Sequence, residues 1–173
     1  MPLIDSSIIP TPDECISLLE NAGCSKDVIE HCKTVAALAL KLAKDHNGVN
    51  LKLVECGALL HDIGRGQTHG IKHAVIGAQT ARKLNLDPRL VLIIERHIGA
   101  GITQDGAKAL GLEEKSYIPE SMEEKIVAHA DNLIVGTNII SLNTRIEMMN
   151  ARGIDNDSII RVIKLASEII RDE

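Results

Sequence analysis

The chain has almost no aromatic residues: one Tyr, no Phe and no Trp in 173 positions. Its core must therefore be aliphatic, built from Ile, Leu, Val and Ala. The absence excludes the stacking platforms by which single-strand nucleic-acid binders hold bases. It also excludes the Trp and Tyr belts that anchor proteins at a membrane interface. Long apolar runs are missing too; the longest, such as Val35–Leu40, fall far short of the roughly 20 residues that span a bilayer. Nor is there an excess of positive charge. A net charge of −5 argues against attachment to nucleic acid by bulk electrostatics. No C-x-x-C pair occurs, and Cys15, Cys24, Cys32 and Cys56 read as reduced, mostly buried thiols of a cytoplasmic protein. Met1 to Pro10 has neither a basic n-region nor an apolar core, so it does not read as a signal peptide. The expectation is a soluble cytoplasmic protein with neither membrane nor nucleic acid as partner.

What is present reads as a string of helices. The length suits a single domain over 1–173, one that buries roughly 70% of its unfolded surface and needs no disulfide. Thr11-Pro12-Asp13-Glu14 is a capping box with Pro at the first helical position, and that helix stops near Gly23. A longer helix is expected from Ser25 to His46, with Val28, Val35, Leu38 and Leu42 as its apolar stripe. Asn50 caps a third helix that runs through Leu60 into His61-Asp62-Ile63-Gly64, where Gly64 stops it. Further helices are expected over 73–84, from Asp87-Pro88 towards Gly99, after Thr103, and from the capping box Ser121-x-x-Glu124 through Asn132. Two amphipathic helices, about 139–152 and 156–171, close the chain as a satellite hairpin or a homodimer surface. No segment alternates with period two for long enough to need a strand, so the fold class is all-α.

The chemistry sits in polar groups placed on apolar stripes. His31 lies between Val28 and Val35, His97 follows Leu90, Ile93 and Ile94, and Asp131 lies between Val127 and Ile134. Each has a plain structural alternative. A lone His on an apolar face serves as a hydrogen-bonded core residue, and Asp131 could pair with Arg96 or Lys125. His61-Asp62 could be a helix terminus and its acid. Jointly, four His and two Asp on successive helical segments are harder to explain that way. A buried carboxylate needs a cation or firm donors. Mixed His and carboxylate ligands without thiolate suit Fe, Mn, Zn or another divalent ion, not a structural Cys-zinc site. His46 and His129 read as surface residues, and Cys32 as core.

The order His31 … His61-Asp62 … Asp131, with His61–Gly64 reading HDIG, resembles the HD-domain metal-dependent phosphohydrolases. The likeness covers roughly 25–135. The stretches His73-Ala74-Val75-Ile76-Gly77 and Glu124–Asp131 look closest to small stand-alone members, including bacterial symmetrical dinucleoside-tetraphosphate hydrolases. The resemblance implies a helical bundle around a central metal site with one or two divalent ions (Fe, Mn, Co, Mg, Ni or Zn). It implies His31, His61, Asp62 and Asp131 as ligands of the first, and His73 and His97 with Asp62 bridging as ligands of a second.

A basic stretch supports an anionic substrate: Arg65, Lys72, Arg82, Lys83, Arg89 and Arg96 outnumber Asp87 and Glu95 between Gly64 and His97. The expected phosphate-facing groups are Arg65, Lys72 and Arg96, with Lys125 as a further candidate. Asp62, Arg65 and His69 are the expected catalytic residues, His69 as proton donor to the leaving group. Two departures from the family matter. Arg65 stands where many relatives have Lys, and the GYP signature of cyclic-di-GMP phosphodiesterases is absent after His97. The expected activity is hydrolysis of a nucleotide or another small phosphorylated metabolite. The alternatives are an HD-type diiron oxygenase and a nucleotide-binding module that does not cleave its ligand.

Overall fold

The computed structural model describes residues 7–170. Nine helices are found there: α1 (Pro12–Asn21), α2 (Lys26–Ala43), α3 (Leu51–Leu60), α4 (His73–Lys83), α5 (Pro88–Glu95), α6 (Gln104–Ala109), α7 (Met122–Asn132), α8 (Leu142–Ala151) and α9 (Asn156–Ile169). Most start where the sequence places a cap. The Thr11 and Ser121 side chains each accept from the amide three residues on, while Glu14 and Glu124 return the bond. Asn50, Asp87, Thr103 and Asp155 also cap their helices. The fold is all-α apart from one small hairpin.

Helix α2 is central, lying against α3 and α7, while α4 packs on α5. The core between them is aliphatic, with Cys15, Cys24, Cys32 and Cys56 buried in it and unpaired. The one tyrosine, Tyr117, is buried and donates its hydroxyl to the Glu113 carbonyl. No described helix is long and apolar enough to cross a membrane.

Several expectations are corrected. The buried stripe of α2 is Ile29, Cys32, Val35, Ala36, Ala39 and Ala43, rotated about one residue from the sequence estimate. Small Ala and Cys side chains let α3 and α7 approach on that face, so the bulkier Val28, Leu38 and Leu42 stand at its margin. Helix α3 ends at Leu60 rather than at Gly64, and Ile63–Gly66 form a short 3-10 turn. A two-stranded antiparallel hairpin, β1 (Ile134–Val135) and β2 (Asn138–Ile139), follows α7 with Ile134 opposite Ile139. Two-residue strands are too short for alternation to register. Their signal is Gly136, whose φ of +61° suits the first position of a tight hairpin turn.

His46 and His129 are buried, not exposed. His46 Nε2 lies 2.9 Å from the Ile169 carbonyl and ties the end of α2 to α9. Among the described residues, His129 has no hydrogen-bond partner at either ring nitrogen, and burial pulls its pKa down to about 4. A folded-state pKa below the ordinary 6.5 means the unfolded chain takes up a proton first as the pH falls. Stability from keeping His129 neutral is therefore complete above about pH 6.5 and is lost towards pH 4, by about 3 kcal/mol. Urea denaturation of wild type and His129→Leu at pH 7 and pH 4.5 checks this: the variant should lack that share of the acid loss. Equal acid losses in the two proteins would refute it.

Candidate metal centre

Four helix ends and the small hairpin converge on one point. Leaving α3, the backbone turns so that His61 and Asp62 face inward from the bundle's middle, Asp62 at φ −98° and ψ 14°. His73 is the first residue of α4, His97 follows the end of α5, and Asp131 comes from the last turn of α7. His31 reaches in from α2. Gly64 and Gly77 make this arrangement fit, because a methyl group on Gly64 would stand 2.7 Å from the Gly77 amide nitrogen and collide with the His73 carbonyl. The glycine thus sets the distance between the HDIG segment and α4.

The histidine tautomers are fixed from behind. His31, His61, His73 and His97 each place Nδ1 against a backbone carbonyl, of Gly136 (2.8 Å), Ala58 (2.6 Å), Gly70 (2.8 Å) and Ile94 (2.8 Å). With Nδ1–H donated outward, each neutral ring turns a bare Nε2 lone pair inward, as metal-binding histidines do. Those nitrogens meet one another and two carboxylates. His73 and His97 bring their Nε2 atoms to 3.0 Å, and His31 Nε2 stands 3.0 Å from Asp131 Oδ1. His61 Nε2 lies 3.5 Å from Asp131 Oδ1 and 3.7 Å from Asp62 Oδ2.

Asp62 occupies the middle. Its Oδ1 is 3.1 Å from His73 Nε2 and 3.5 Å from His97 Nε2, while Oδ2 lies 3.9 Å from His31 Nε2. Lone pairs facing at these distances repel unless a cation or protons stand between them. Among the described residues, His61 Nε2 and Asp62 Oδ1 are buried without a well-aligned hydrogen-bond partner. Candidate ligand atoms of His31, His61 and Asp131, and of His61, Asp62 and His97, lie within 4.8 Å of one another. The donor set is nitrogen and oxygen without thiolate, so it fits a divalent cation.

Electrostatics agree. Burial alone would raise the pKa of Asp62 and Asp131, but the surrounding histidines hold both carboxyls far below the usual range. Burial lowers the His61 pKa, yet the two carboxylates overcome it and lift it well above normal. For His97, burial wins and its pKa falls. The cluster is a concentration of anionic oxygen in a poorly solvated place.

This geometry agrees with the sequence comparison, in which the HD domain matches residues 28–136. The chain belongs to the HD-domain family. An uncharacterized protein of Methanocaldococcus jannaschii is 49% identical over 162 residues, covering 91% of this chain and 95% of that one. A tRNA (cytidine(56)-2'-O)-methyltransferase of Picrophilus torridus is 44% identical across 93% of this chain, which spans only 47% of that relative. Among solved structures, the HD domain of the L. monocytogenes phosphodiesterase PgpH, in complex with cyclic-di-AMP, superposes with a TM-score of 0.56. It has 16% identity and covers 92% of this chain and 98% of that one. At that identity the match speaks for the fold.

The HD site opens into a cavity of about 530 Å³. Arg65, His73, His97 and Asp131 line its inner end. Of the cations expected to face a phosphate, Arg65 alone lines this space. Its Nε donates to Asp62 Oδ2 at 2.6 Å, and its Nη1 reaches the His69 carbonyl at 3.3 Å. Arg96 is turned into ion pairs with Glu124 (3.0 Å) and Glu120 (3.5 Å), and Lys125 into one with Glu168 (2.6 Å). Neither lines the cavity: Arg96 stands beside the buried Glu124, which needs a cation, and Lys125 pairs with the partly exposed Glu168. Lys72 and His69 are exposed and lie outside the cavity lining. Arg82 and Arg89 pair with Glu95 and Asp87.

The sequence reading missed the cavity's opposite wall. Helix α8 and the start of α9, expected to be a satellite hairpin or dimer surface, contribute Arg145, Met148, Met149, Arg152 and Ser158. Arg145 is anchored through the carbonyls of Asn132 and Ile134 (the latter at 2.9 Å), beside Asp131. The available signal was Arg145-x-x-Met148-Met149-x-x-Arg152, a helical face with no core partner in sequence. Also missed was the carbonyl of Gly136, which orients His31 from the hairpin turn.

Proposed function

We propose that this HD protein is a metal-dependent phosphohydrolase, cleaving a phosphate ester or anhydride of a nucleotide or other small phosphorylated metabolite. The observation that carries the reading is the set of four inward Nε2 atoms and two carboxylates at the end of a cavity with a cation beside them. His31, His61, Asp62 and Asp131 would hold one divalent ion, and His73 and His97 a second across Asp62. A bound ion of this kind lowers the pKa of water from 15.7 towards about 7 and draws charge from phosphoryl oxygens. Arg65 contributes twice: Nε holds Asp62 in orientation, and the rest of its guanidinium faces the cavity, where it can meet a phosphate oxygen. The Ile98–Ile102 loop, Ile134 and Val162 line the cavity with largely aliphatic walls. The buried Tyr117 offers no stacking surface there, so selectivity rests on phosphate contacts and cavity shape. The cyclic-di-AMP complex of the PgpH domain supports a nucleotide as the kind of ligand this fold accommodates.

The test is phosphate release from a nucleotide panel with Mn²⁺, Co²⁺ or Fe²⁺, together with metal analysis of protein purified without chelator. Turnover with at least one metal, and its loss on chelation, is expected. Two equivalents of iron with a mixed-valence EPR signal and no phosphate release would replace the hydrolase with a diiron oxygenase. Inert protein whose melting temperature still rises with nucleotides would make it a binding module.

A further inference from the structure

Helix α8 presents Arg145, Met148, Met149 and Arg152 to the cavity at helical spacing i, i+3, i+4 and i+7. None of its residues is fully buried, and Met149 also packs against the edge of the core, so this stripe is a cavity wall resting on the core. Its two arginines lie two turns apart on one face, about 10 Å along the axis. Arg145 sits at the inner end, held by the carbonyls after Asp131. Arg152, exposed at the C-terminal end of α8, also lines the cavity, and among the described residues its guanidinium has no ion pair or hydrogen bond. The nearest acid in sequence is committed elsewhere: Asp155 accepts from the Ser158 amide at 2.8 Å and the Ser158 hydroxyl at 2.7 Å.

The backbone beneath Arg152 is fixed. Gly153, at φ +70°, donates to the Asn150 carbonyl, and Ile154 donates to Met149, which closes the helix in a Schellman turn. A cation at a helix C-terminus favours the macrodipole, but that does not account for its place on the cavity wall. The cavity lining includes Ile98, Ile134, Met148, Met149 and Ile154, together with the polar Asn132, Asp155 and Ser158.

We propose that the α8–α9 hairpin makes the cavity a two-anion site. The reacting phosphate lies at the histidine cluster beside Arg65, and a second anionic group of the same molecule lies on Arg152. The substrate class is a small molecule carrying two separated phosphates on a body that rests against Met148 and Met149. The hairpin lies beyond the 28–136 HD match, so the second anion contact comes from outside the matched core. The inference rests on the phosphohydrolase reading for which phosphate reacts, but its binding test does not.

Two probes differing only in the second anion decide it: hexane-1,6-diol bisphosphate and hexyl phosphate. Each is titrated calorimetrically into the full Mn²⁺-loaded chain, with phosphate release assayed in the same samples. Wild type should bind the bisphosphate at least tenfold tighter, about 1.4 kcal/mol, as one charge-assisted hydrogen bond would give. Arg152→Gln should reduce that ratio to about twofold or less, and Arg152→Lys should restore part of it. Equal binding of the two probes by wild type overturns the proposal, as does binding of neither. A ratio that survives Arg152→Gln at an unchanged melting temperature also overturns it. Absence of phosphate release from both probes would overturn the hydrolase alone, because the affinity ratio is read independently of turnover.

Discussion

Replacing Asp62 by Asn is expected to strip the protein of most of its metal and to lower phosphate release at least a hundredfold. The carboxylate is the shared point of the cluster, with one oxygen facing His73 and His97 and the other facing His61, His31 and Arg65. An amide has nearly the same shape but no charge, and one end of it is a donor. It would leave Arg65 without its acid and present hydrogen atoms to nitrogens or to a cation. Changes in the support of metal ligands alone cost 10- to 100-fold in metal affinity or activity, and Asp62 is placed to be a ligand itself. Elemental analysis, melting curves and phosphate release check the expectation. At a metal concentration of about 100 Kd, wild type gains about 2.7 kcal/mol, or roughly 5–10 °C in a domain of this size. Asp62→Asn should melt at one temperature with metal and with chelator while keeping its helical circular dichroism. A variant that retains full metal content and turns over within tenfold of wild type would remove Asp62 from the centre.

Gly64→Ala is expected to destabilise the fold by about 3 kcal/mol or more and to lower metal affinity with it. The added methyl would meet backbone on two sides, the His73 carbonyl and, at 2.7 Å, the Gly77 amide nitrogen. Backbone cannot swing aside as a flexible side chain can, so either the HDIG turn or the first turn of α4 must move. Either movement separates His61 and Asp62 from His73. Ala at Gly48 is the control for loss of glycine alone, since nothing lies within 4 Å of its added methyl. Its φ of +81° still carries a strain cost, of order 1 kcal/mol. Urea denaturation and metal titration of the two variants should place Gly64→Ala well below Gly48→Ala on both scales. Equal midpoints would show that the close approach of the HDIG turn to α4 is not limiting.

Much of the helical architecture is legible in the chain because its signals are local. A capping side chain acts within three or four residues, so Thr11, Asn50, Asp87, Ser121 and Asp155 mark their helices without any knowledge of the fold. The candidate ligands were legible for a related reason. A His or Asp on an apolar stripe conflicts with local burial, as His31, His97 and Asp131 do, and His61, Asp62 and His73 join them in sequence order at helix ends. The HDIG run adds a contiguous motif, and the family match over 28–136 agrees with it.

The sequence erred where the outcome depends on what lies opposite a residue. Arg96 and Lys125 read as free cations, but Glu124 and Glu168 claim them across helix contacts that spacing does not reveal. His129 reads as a surface residue, yet its face of α7 is covered. The stripe of Val28, Val35, Leu38 and Leu42 differs from the buried face of α2, because close helix packing selects Ala and Cys. The two-residue strands were invisible to periodicity, although their turn supplies the carbonyl that orients His31.

By itself the sequence determined an aliphatic, nearly ring-free helical protein, the order of its helices, and six His and Asp candidates for a metal site. These follow from residue chemistry and from interactions a few positions long. Tertiary structure alone decided the rest: which cations remain free, that α8 faces the metal centre across a cavity, and that Arg145 and Arg152 line it. Those outcomes depend on contacts between segments far apart in the chain, where many pairings satisfy the same local pattern and only packing selects one.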